Sequence, residues 1–214
     1  MTGNVIFRVI GLCAALALSG CVSTPQAAST GDTVALTQTQ SDLRTASREL
    51  VSHFEEAGWS ASTSGSLGQL ANMLLNGRSE DREPSPSAVY LARIAPDGVD
   101  ASAIFTALDT DLATAASMAG TVAVNARAIG EGGSADTAAL AGDLSATENA
   151  IAAVSRALDF FDEAVTGVND RLEADQRAAL RTRQTQLRAE FDRLGESADA
   201  IADRRRAVRS GILS

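Results

Sequence analysis

Toward its C-terminus the chain repeats an apolar residue every seven positions: Leu180, Leu187, Leu194, Ile201 and Val208. Seven residues make two turns of an α-helix, so these side chains fall on one stripe that must be buried against a partner. Phe191 and Ala198 occupy companion positions on the same face. A second seam, Leu144, Thr147, Ile151, Val154, Leu158, Phe161, Val165 and Val168, alternates steps of three and four. Strands repeat every two residues, so neither stripe fits a sheet.

Further stripes follow the same logic. Leu36, Leu43, Leu50 and Ala57, with Ala46, Val51 and Phe54 between them, predict a helix from about Thr33 that Gly58 ends. Leu67, Leu70, Leu74 and Leu75 predict a short helix closed by Asn76-Gly77, and the charged segment Arg78 to Pro86 reads as exposed loop. Ser85-Pro86 supplies an N-cap and first-turn pair for a second short helix through about Ile94, stopped by Pro96-Asp97-Gly98. A long helix is expected from Asp100 to Ile129, with Ile104, Leu108, Leu112, Ala115, Met118 and Val122 on one face and Gly130 to Gly133 breaking it.

The seams of the last two long helices are out of phase between Val168 and Gln184. This favours a hairpin over one continuous helix with a stutter. Gly167, Asn169 and Asp170, with Glu173 three positions after Asp170, are the expected breaker and cap. The fold expected is therefore all-α, an elongated antiparallel bundle of three to four long helices plus two short ones. Alanine, 41 of the 214 residues, suits it, with high helix propensity and room for close backbone approach. Rods of about 45–60 Å follow from 1.5 Å of rise per residue.

Charge is unevenly placed. Residues 97–170 hold two arginines and twelve carboxylates, whereas 171–214 hold ten arginines and seven carboxylates. Opposite charge on adjacent helices steers pairing more than it stabilises, since exposed ion pairs contribute about 0–1 kcal/mol each. The total is −9, every basic residue is arginine, and lysine is absent. Such a chain has no case for nucleic-acid binding.

The chemistry-bearing residues are sparse. His53 is the single histidine; it follows Glu49 by four positions and precedes Glu55 and Glu56. A di-iron bundle needs a Glu-x-x-His pair on each of two helices, and Leu50 stands where that glutamate belongs. No Gly-x-Ser-x-Gly elbow accompanies a serine, and Gly65-Ser66-Leu67-Gly68 lacks the lysine and spacing of a phosphate loop. Paired carboxylates such as Asp109/Asp111 and Asp162/Glu163 read as solvated helix faces. Neither catalytic residues nor a metal or cofactor is expected. Arg204-Arg205-Arg206 with Arg209 is the one concentrated basic feature. It suits a helix C-terminus beside an acidic neighbour, and it also suits contact with anionic lipid head groups or an acidic partner.

The N-terminus carries the most specific motif. Arg8 precedes an apolar run from Val9 to Leu18, about half of the roughly 20 residues a membrane span needs. Leu18-Ser19-Gly20-Cys21 follows and resembles the lipobox of bacterial lipoproteins. The resemblance covers the first 21 residues or so. It implies a signal peptide over 1–20, cut before Cys21, and a diacylglyceryl group on the Cys21 thiol, usually with a further acyl chain on the new amino terminus. Two or more chains give stable anchoring, each buried methylene adding about 0.8 kcal/mol. Cys13 would leave with the signal, so no disulfide is expected. Val22, where aspartate would favour inner-membrane retention, implies an outer-membrane site with a periplasmic body.

Residues 21–32, rich in Ser, Thr, Ala, Pro and Gly, read as a lipidated cysteine and flexible tether, and 33–210 as the bundle domain. The function expected is a non-enzymatic, lipid-anchored envelope component that serves a structural or protein-interaction role, with an envelope protein as its partner. Two alternatives stand beside it: an apolar-ligand carrier built on Phe54, Phe160, Phe161 and Phe191, and a cell-wall enzyme working through carboxylates.

Overall fold

The computed structural model describes residues 30–60, 84–132 and 136–211. They form five α-helices and one 3₁₀ turn: α1 (Thr30–Glu56), α2 (Pro86–Ile94), α3 (Ala101–Gly132), α4 (Thr137–Val168), the turn Asn169–Arg171 and α5 (Ala174–Arg209). The chain is an all-α bundle, and among the described residues there is no strand. At 1.5 Å per residue, α3 to α5 are rods of about 48–54 Å. The expected signal peptide, Cys21, the expected short helix after Ser66 and nearly all of the expected tether lie outside the described residues. Helix α1 begins at Thr30, so the expected tether gives up its last residues to the helix.

Pairings between helices fix their directions. Arg44 bonds Asp143 and Ser47 bonds the Ala146 carbonyl, so α1 runs parallel to α4. Arg183 meets Asp109 and Ser197 meets the Ala123 carbonyl, so α5 runs parallel to α3. Gln184 and Arg188 both reach Asp162, which makes α4 and α5 the antiparallel hairpin. Tyr90 packs on Phe160, and Leu91 lies over Gly167 further along α4. Helix α2 therefore continues along α4 in the direction of α1. Together α1 and α2 make one traverse, and α3, α4 and α5 make the other three.

The core follows the heptad stripes. Leu180, Leu187, Leu194 and Ile201 are fully buried, as are Ile104, Leu108, Leu112, Val122 and Ile129, while Leu144 and Ile151 are only partly covered. The buried face of α4 is wider than one seam, because Leu140, Ala150, Ala153, Ala157, Phe160 and Ala164 are buried beside Val154 and Phe161. A helix touched on three sides by α1, α3 and α5 needs more than one stripe.

Three local expectations change. Gly130 does not break α3, which runs on to Gly132. A Cβ at Gly130 would stand 2.7 Å from the Cβ of Ala200, so this glycine lets α5 approach closely. Gly167 likewise lies inside α4, where a Cβ would meet Leu91 Cδ1 at 2.6 Å. The cap of α5 is Glu173 with Gln176 in a reciprocal capping box, three positions later than Asp170. Among the described residues the other expected helix ends hold. Ser85 caps α2 by accepting from the Ala88 N–H, with Pro86 in its first turn. Gly58, at φ 79°, ends α1 in a Schellman turn: Trp59 N–H bonds Phe54 O and Gly58 N–H bonds Glu55 O.

Candidate functional site

The directions of the helices answer where the arginine cluster lies. α1 starts beside the start of α4, because Arg44 also donates to the Ala139 carbonyl. The start of α4 adjoins the end of α3, which meets Ala200 of α5 through Gly130. The first turns of α1 and the last turns of α5 therefore share one end of the bundle. Arg206 and Arg209 are exposed there and Arg204 and Arg205 are half-buried. Arg206 bonds Asp203 one turn away. The opposite end is tied by arginines too: Arg171 donates to the carbonyls of Ala95, Pro96 and Val99, and Arg177 to those of Asn169 and Leu172.

The candidate acid–base carboxylates are each engaged. Asp109 takes a bidentate contact from Arg183, at 2.7 and 3.3 Å. Asp162 accepts from Gln184 and Arg188, and Glu163 from the Ser85 hydroxyl at 2.7 Å. Asp111 accepts from the Tyr90 hydroxyl at 2.8 Å. Burial raises the Asp111 pKa above the ordinary carboxylate range, opposed by the Tyr90 hydrogen bond and by the charges of Arg93 and His53. Tyr90 is pushed upward as well, first by burial and then by the hydrogen bond to Asp111 and its charge. The pair acts as a bolt between α2 and α3.

His53 is exposed and lies with its ring 5.1 Å from that of Trp59. Among the described residues no group of three histidine, cysteine or acidic side chains converges on a metal-sized site. Phe54, Trp59, Phe161 and Phe160 contact one another ring on ring at 5.2–5.4 Å between centroids, and Tyr90 extends the row. These rings fill core space, and Phe191 is partly buried against the same core. Among the described residues no helix is long and apolar enough to cross a membrane.

Two features escape the sequence. Asp143 is 0% exposed, at a position that reads as part of the acidic face of α4. It accepts from Arg44 Nε at 2.8 Å and Gln40 Nε2 at 2.7 Å, forming a latch for α1. Beside that latch an open groove of about 640 Å³ runs between α1 and α4, with Arg48 and Arg156 on its rim. Their partners are some hundred residues away along the chain, so no local spacing announces either feature.

No known protein family, curated protein or solved structure matches the chain.

Proposed function

We propose that the protein is a lipid-anchored component of a bacterial envelope, held at the membrane by acyl chains on Cys21. Its helical bundle serves there as a non-catalytic structural or interaction body, on the periplasmic face of the outer membrane. The lipobox Leu18-Ser19-Gly20-Cys21 behind Arg8 and its apolar run carries this reading. The bundle supports it in two ways. The end where α1 begins, toward which the chain from Cys21 leads, also carries Arg206 and Arg209, which suits contact with anionic head groups at that end. The carboxylates best suited by spacing to acid–base work are committed to helix-to-helix bonds.

Metabolic labelling with a clickable fatty acid tests the anchor. Wild-type protein should take up label and partition with membranes, whereas Cys21→Ser should do neither. Label retained on the serine variant would overturn the reading.

A further inference from the structure

We infer that the groove between α1 and α4 binds an extended acidic peptide segment, with one carboxylate held by Arg48 and another, four residues along, by Arg156. This inference rests on the groove alone and is independent of the lipid anchor.

The groove exists because of what lines α4. Its positions Gly142, Ser145, Ala146, Asn149 and Ala152 are all small or short, so that wall is low until Arg156 rises at the far end. The facing residues on α1 include Arg48, Ser52 and Glu55, all exposed. Arg44 closes the near end, but its charge is spent on buried Asp143. The other two arginines are differently placed. Arg48 donates to the Arg44 carbonyl and to Thr45, and Arg156 donates through Nε to the Ser60 carbonyl. Among the described residues no carboxylate lies within ion-pair distance of either, in a chain with 27 acidic and 18 basic side chains. Two guanidinium groups thus face one trough, each fixed through part of its fork. Carboxylate recognition favours such forks.

Helix geometry sets the spacing. The bond from Ser47 to the Ala146 carbonyl places Arg48 level with about position 147 of α4. From there to Arg156 is nine residues of helix, about 13–14 Å. An extended peptide advances about 3.4 Å per residue, so residues i and i+4 span the same distance, and they project from the same side of the strand. Ser52 and Asn149 lie between the two arginines and offer hydrogen-bonding groups to a peptide backbone. Glu55, by the same register, lies near the level of Arg156 and offsets part of the attraction at that end of the groove. The rest of the protein is acidic, so attraction must come from these two contacts at short range and must weaken with salt.

The test uses the purified full-length protein in non-ionic detergent and fluorescein-labelled Glu-Gly-Ser-Gly-Glu, with fluorescence polarisation as readout. Binding is expected, with about a tenfold loss when either glutamate becomes glutamine, and a further fall as salt is raised. Arg48→Gln and Arg156→Gln should each cost about tenfold, and the double variant should abolish binding. Arg181→Gln, on an exposed face of α5, should change nothing. Arg156→Lys keeps the charge and gives up the bond to Ser60, so binding retained by this variant separates charge recognition from a local structural defect. The inference is overturned if the Gln-Gly-Ser-Gly-Gln peptide binds equally well, if Arg48→Gln and Arg156→Gln bind as wild type, or if no binding occurs at millimolar peptide.

Discussion

Helices α1 and α5 lie on the same pair, α3 and α4, yet different chemistry holds them. Helix α5 presents an apolar ladder, Leu180, Leu187, Leu194 and Ile201, and packs against α3 where both helices are built of small residues. Ala119, Ala123 and Ala126 of α3 are buried, and Gly130 admits Ala200 almost to backbone contact. Helix α1 buries Leu43, Leu50 and Phe54 but adds a polar latch, with Gln40 and Arg44 on Asp143 and the Ser47 hydroxyl on the Ala146 carbonyl at 2.5 Å. Apolar contact is non-directional, so the α3–α5 pair takes its register from steric fit together with the Arg183–Asp109 pair and the Ser197–Ala123 bond. A buried carboxylate with two donors accepts one register only. The cost of that choice is a charge that becomes unfavourable once a partner is lost.

The largest effect is expected where the latch is broken from one side. Arg44→Ala leaves the Asp143 charge to Gln40 alone and should cost about 3 kcal/mol. Amide protection in α1 should fall before that of α3, α4 and α5; uniform loss along the chain would show that the two docking modes are not separable. Replacing both partners, Arg44→Met with Asp143→Leu, should recover most of the loss, because no charge is then stranded. Gly130→Leu attacks the other interface. It forces α3 and α5 apart and should cost about 2–3 kcal/mol, with a single cooperative transition at lower Tm.

Two smaller effects probe the α2 bolt, which belongs to neither interface. Tyr90→Phe removes the donor to half-buried Asp111 and should cost about 1 kcal/mol in chemical denaturation. An unchanged midpoint would mean that α2 is held by Tyr90–Phe160 packing alone. Asp111→Asn tests the electrostatic sign. The folded pKa of Asp111 is raised, so its protonated form favours the fold, and that contribution is lost as pH rises through the folded pKa. The asparagine variant should therefore melt slightly above wild type at pH 7, and the gap should close as pH falls below the ordinary carboxylate range. A gap that widens on acidification would contradict a raised pKa.

Much of the fold is legible in the order of residues, because it depends on local rules. The Gly58 stop, the Ser85-Pro86 start and the break after Val168 each need only one helical turn of context. A glycine in a helical pattern has two meanings, an end or a close approach, and Gly130 and Gly167 take the second. Only the neighbour decides between them, and here Ala200 and Leu91 do. The α5 cap lies at Glu173 for a related reason: a capping box needs a partner three positions on, and Gln176 supplies it.

The candidate site divides in the same way. The proposed lipobox Leu18-Ser19-Gly20-Cys21 is a linear motif, since a processing enzyme would act on an extended chain, so its residues are all legible in the sequence. The groove is not, because Arg48 and Arg156 are brought together by two helices whose parallel pairing is set by Asp143 and Ala146.

Periodicity and local propensity in the sequence suffice for the described helices, their stripes, the hairpin and the charge contrast between α4 and α5. Only the tertiary structure decided which helices run parallel, that α1 and α2 share a traverse, and that the Arg204–Arg209 cluster lies where α1 begins. Those outcomes depend on contacts between residues distant along the chain. Such contacts are selected by steric fit at Gly130 and by a buried carboxylate at Asp143, and neither leaves a repeat in the sequence.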